Sequence, residues 1–147
     1  VSRLARFGIA LGASALVAAT GYAVDASGTE PTALGPGVVT VEVHIEHSRF
    51  DLGTLRVQEG TLVQFVVHND DPIDHELVVG DASVHLRHTT GGERRHPPVP
   101  GEVSIAPGDT AMTFYRFTTP GPVVYACHLP GHLAFGMQGT IEVLADR

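Results

Sequence analysis

Several residue types are scarce in this 147-residue chain: it has one cysteine and no tryptophan, and all nine of its basic residues are arginine, so it has no lysine. One cysteine excludes an internal disulfide framework and any zinc site built from several thiolates. Charged residues make up 17%, too few for a disordered acidic tail or a basic nucleic-acid arm. Sixteen acids against nine bases give a net charge of −7, which argues against DNA or RNA as a partner. What the chain has in quantity is histidine, with nine residues, and 43% hydrophobic residues, enough for the core of one domain.

The N-terminus reads as an export segment. Arg3 and Arg6 precede the apolar, small-residue run Phe7–Ala19, and cleavage is expected after Ala26 or after Ala23. No cysteine lies nearby, which excludes a lipoprotein anchor. The rival reading is a retained membrane anchor, because 7–24 is just long enough to span a bilayer, although its glycines, serine and threonine weaken it. Residues 1–26 are thus expected to be a signal peptide or anchor. Either places the remainder outside the cytoplasm, in the periplasm, free extracellularly, or held at the outer face of the cytoplasmic membrane. Residues 27–37, rich in Gly, Pro, Ser and Thr, read as a flexible linker to a domain over 38–147.

That domain is written in short strands. Val39, Val41, Val43 and Ile45 alternate with Thr40, Glu42, His44 and Glu46, the period of a half-buried strand. Further strands are expected at 55–58, 61–68, 75–79, 103–105, 112–117, 123–127 and 139–144, separated by turns such as Asn69-Asp70-Asp71-Pro72 and Thr119-Pro120-Gly121-Pro122. Seven or eight short strands with no sustained helical period predict an all-β Greek-key sandwich. The exception is 81–101, a long polar segment expected as a loop with at most one helical turn near 84–88; loops of this length are usually functional or mobile.

The densest chemistry runs from Cys127 through His132 to Met137, spaced Cys-x4-His-x4-Met. A second imidazole must come from elsewhere, and His75, opening a strand at a sheet end, is the obvious donor. Thiolate, two imidazoles and a weak axial thioether suit copper: soft sulfur favours Cu(I), imidazole suits Cu(II), and a trigonal arrangement accommodates both. The stretch resembles the cupredoxins, the blue (type 1) copper proteins. Asn69 ahead of His75, the strand His75-Glu76-Leu77-Val78-Val79-Gly80, and the closing unit Tyr125-Ala126-Cys127-His128 with Gly136-Met137-Gln138-Gly139 carry the likeness over roughly 39–144. The resemblance is closest to small exported copper-binding cupredoxins. It implies one copper ion in a type 1 site held by His75, Cys127, His132 and axial Met137. It also implies electron transfer with a redox partner protein or, by the same ligands, copper storage, delivery or resistance alongside a copper-handling protein. The chain is expected to be monomeric, to meet a membrane only if its N-terminal segment is retained, and not to be an enzyme.

The remaining histidines divide. Cys127-His128 has the form of the dipeptide that leads electrons to a second copper in multicopper oxidases and nitrite reductases, but the chain lacks the His-x-His pairs of a trinuclear cluster. His128 is therefore expected to support the site or to serve as an electron exit, and Asn69 to support it from behind. His85, His88 and His96 fall between the first histidine and the cysteine, an interval with one methionine, Met112, and so no Met-rich insert. They are candidates for a second, looser metal site. Asp70, Asp71, Asp74 and Glu76 would form a patch steering a basic partner, or serve simply as turn acids, with Glu76 on the strand face opposite His75.

Overall fold

The computed structural model describes residues 32–91 and 95–146, so the expected signal or anchor lies outside the described residues, with the start of the linker and Arg94. Among the described residues, eight strands and one helix follow in order: β1 (Val38–Ile45), β2 (Leu55–Gln58), β3 (Leu62–Asn69), β4 (His75–Gly80), α1 (Ala82–Thr90), β5 (Glu102–Ile105), β6 (Thr110–Arg116), β7 (Gly121–Ala126) and β8 (Gln138–Leu144). They form two sheets, β1-β3-β6 and β2-β8-β7-β4-β5. The all-β sandwich read from the sequence is the fold, and every expected strand is present, its ends shifted by no more than a few residues.

The alternation decides which side chains meet. β1 runs parallel to β3 with Val41 opposite Phe65 and Val43 opposite Val67. Val43, Ile45, Val63, Phe65 and Val67 point inward from this sheet. Val57, Leu77, Val79, Val103, Ile105, Ile141 and Val143 meet them from the other, all essentially solvent-free. Burying such side chains gains roughly 1.5–3 kcal/mol each before chain entropy is counted. Thr40, Glu42 and His44 stay exposed on the outer face of the small sheet.

β4 departs from this alternation, since all six of its residues are buried. The expected loop after it is the reason, and here the sequence reading needs correcting. Instead of one turn near 84–88, α1 spans Ala82–Thr90 and lies over the outer face of β4. Its start is fixed by Asp81, whose carboxylate accepts from the Ser83 and Val84 N–H groups at 2.8 and 3.2 Å. Arg87 and His88 in its last turn suit the negative end of the helix dipole. The helix buries none of its own residues fully, so it left no apolar period to read. The chain returns to the sheet through Gly101. A Cβ there would stand 2.5 Å from the Val79 carbonyl, and the backbone takes φ +85°, so glycine is required.

Candidate metal centre

Three donors from two parts of the chain converge at one end of the sandwich. His75 opens β4, Cys127 follows β7, and His132 sits on the loop returning to β8. Their ligand atoms all lie within 4.8 Å of one another. Cys127 Sγ is 3.2 Å from His132 Nδ1, and the His75 and His132 rings are 4.8 Å apart between centroids. Met137 closes the same loop, fully buried, and its carbonyl accepts the Cys127 N–H at 3.0 Å. His75 and Cys127 are buried, while His132 reaches the surface beside exposed Phe135.

The His75 ring is set by a carboxylate. Its Nε2–H donates to Asp71 Oδ2 at 3.0 Å, leaving Nδ1 as a lone pair, buried and with no hydrogen-bond partner. Asp71 is itself fixed by the His47 and Ser48 N–H groups, each at 2.7 Å. Both residues adopt a left-handed φ of 53°, which aims their N–H groups at one carboxylate. Burial would raise the Asp71 pKa, but the Ser48 and His47 donors and His75 outweigh it and hold the carboxyl below its usual range. Burial pushes the His75 pKa down, the hydrogen bond to Asp71 opposes it and His132 adds to it, so the ring is held below its ordinary value beside an anionic carboxylate. Asn69 pins this corner. Its Nδ2 donates to the carbonyls of Ile73, Ile105 and Ala106, and its Oδ1 accepts from Asp71 N–H.

The role of Asp71 was missed by the sequence reading, which took it as part of a steering patch or as a turn acid. That patch does not form. Asp71 and Glu76 are buried, Asp74 pairs with Arg95, and Asp70 pairs with His44. The one sequence signal for Asp71 was its spacing of four from His75.

Cys127 is a buried thiol whose pKa burial pushes up to about 11; backbone N–H groups of Glu76 and Leu129 on the sulfur oppose this, and the Glu76 charge adds to it. A thiol held neutral beside an orphaned imidazole nitrogen is the arrangement that a cation would reverse, since coordination deprotonates it.

On the far side of β4 the other histidines separate into two pairs. His128 lies half-buried under α1: its Nε2 meets His85 Nδ1 at 2.8 Å, its Nδ1 meets Thr89 Oγ1 at 3.1 Å, and its backbone N–H donates to Glu76 Oε1 at 2.8 Å. Burial, then the neighbouring His85, lowers the His128 pKa. His88 and His96 instead face Glu76, their ligand atoms with its carboxylate again within 4.8 Å. The grouping of His85 with His88 and His96 is therefore corrected. Three residues apart on α1, His85 is turned to His128 and the Val124 carbonyl, and Glu76 takes its place.

The profile of the copper binding proteins of the plastocyanin/azurin family matches residues 38–144. This chain belongs to that family, the cupredoxins. It is 36% identical over 100 residues to a protein of Rubrivivax gelatinosus described as copper-resistant cuproprotein CopI, covering 65% of this chain and 59% of that one. This chain thus spans about three fifths of that relative's length. Among solved structures, reduced auracyanin from Roseiflexus castenholzii superposes with a TM-score of 0.59 at 22% identity, covering 71% of this chain and 96% of that one. A blue copper oxidase from Nitrosomonas europaea gives 0.57 at 19%, covering 76% of this chain but 40% of its own. At these identities the structural likeness shows the fold alone. Copper is the family's metal, and the donors fit it: a buried thiol, an imidazole nitrogen with no other partner, and a second imidazole at the surface.

Proposed function

We propose that His75, Cys127 and His132 would hold one copper ion, with the buried Met137 offering its thioether as a weaker fourth donor. We further propose that the protein exchanges electrons at this centre in the service of copper resistance outside the cytoplasm. The observation that carries the ligand set is the buried His75 Nδ1, stripped of every partner while Asp71 holds the opposite nitrogen. Bound copper supplies a one-electron couple. The residues supply the rest. Asp71 keeps His75 oriented, and the Glu76 and Leu129 N–H groups would stabilise the thiolate. His132, the half-buried donor, offers the edge through which a redox or copper-handling partner would be met. The role in resistance is supported by the relative's description, and the address outside the cytoplasm by the reading of residues 1–26.

Loading the domain with Cu(II) is expected to give an intense thiolate-to-copper band in the visible that a reductant bleaches. Cys127→Ser should abolish the band and His128→Ala should leave it. A colourless protein that binds zinc equally well would overturn the ligand set. In the source cell, removal of the protein should raise copper sensitivity, rescued by the wild-type chain and not by Cys127→Ser. Unchanged tolerance would overturn the role in resistance.

A further inference from the structure

We infer that Glu76, His88 and His96 form a second metal site, behind β4, that takes a divalent first-row transition ion and Cu(II) in preference. Hydrogen bonds elsewhere on the two rings dictate what faces the centre. His96 Nδ1 is 3.1 Å from the Pro97 carbonyl, which only accepts, so Nδ1–H donates there and Nε2 is the nitrogen left to face the centre. His88 Nε2 is 2.8 Å from Glu102 Oε2, which places its proton there and leaves Nδ1 bare. These two lone pairs face Glu76 Oε2 at 3.4 and 3.7 Å, so three acceptors converge with no donor between them.

The centre is also buried. The Glu76, His88 and His96 side chains are 2%, 9% and 10% exposed, and His96 Nε2 has no hydrogen-bond partner among the described residues. A buried carboxylate needs a compensating cation. Among the described residues Arg87 is engaged by Glu102, and the basic side chains that reach the Glu76 carboxylate are the His88 and His96 rings themselves. The supports are built in: Glu102 orients His88, Pro97 orients His96, and Ser104 Oγ accepts the His96 N–H at 3.1 Å. A cavity of about 380 Å³ lined by Arg87, His88, His96 and Glu102 gives an ion a route in. Two imidazoles and a carboxylate with no thiolate suit Cu(II) and Zn(II), and Cu(II) binds such donors more tightly.

The test counts copper in the full chain by equilibrium dialysis with Cu(II) and separates the ions by electron paramagnetic resonance. Wild type is expected to bind two, one in the coloured thiolate site and one with the signal of ordinary nitrogen and oxygen ligation. The pair His88→Ala/His96→Ala should bind one and keep the visible band. Cys127→Ser should still bind one, without colour, and lose it when the pair is added, which separates this site from the fate of the first. The milder His96→Gln, for the case that the pair disrupts folding, should weaken the second ion at least roughly tenfold. A single copper per wild-type chain, or a second that persists after His88 and His96 are replaced, overturns the inference.

Discussion

At the scale of single residues, the centre depends on a side chain that binds no metal. Asp71 holds the proton of His75 on Nε2 and is held in turn by two backbone N–H groups from residues in left-handed conformation. Replacing Asp71 with alanine frees the ring to rotate and to shift its proton to the nitrogen the metal needs. Copper affinity, measured by competition with a chelator, should fall about 10–100-fold while the far-ultraviolet circular dichroism stays that of a β-sandwich. The residues Cys127, His132 and Met137 were legible because their spacing lies within one loop. Asp71 was not: in the sequence it is one acid among four near a turn. Its role exists only where the turn after β3 meets residues 47 and 48 beyond β1.

At the scale of elements, strands and helix differ in what they reveal. β1 and β3 alternate cleanly because one face is core and the other water, so their period could be read directly. The helix α1 rests on β4 without a fully buried residue and is held by its cap and by polar contacts, so no period marked it. Its cap gives it a pH dependence. The Ser83 hydroxyl, then the Val84 and Ser83 N–H groups, lower the Asp81 pKa. A carboxyl with a depressed folded pKa stabilises fully above its unfolded value and ceases to do so as pH falls through the folded one. Amide exchange in the first turn of α1 should therefore be slow at neutral pH and accelerate on acidification through that range. With Asp81→Ala it should be fast throughout, beyond the ordinary pH dependence of exchange chemistry.

For the whole molecule, the core and the metal centre are separable. Two sheets pack a continuous set of buried side chains in which Cys127 and Met137 are only the end members. Removing copper should leave the fold intact and lower its midpoint. At free copper near one hundred times its dissociation constant, binding contributes about 2.7 kcal/mol, a change on the order of 10 °C in Tm. Calorimetry with and without a chelator measures it, and an apo chain that has lost its β signal would contradict a core independent of metal.

From residue order alone came the strand pattern, the all-β class and the metal-binding loop, because each is a local property: alternation two residues apart, or donors five apart on one loop. Tertiary structure alone decided which carboxylate turns His75, and that Glu76 is buried with His88 and His96 while His85 joins His128. Periodicity states which face of a strand a side chain takes but not what covers that face. On β4 both faces are covered, and the helix that covers the outer one has no apolar stripe to announce it.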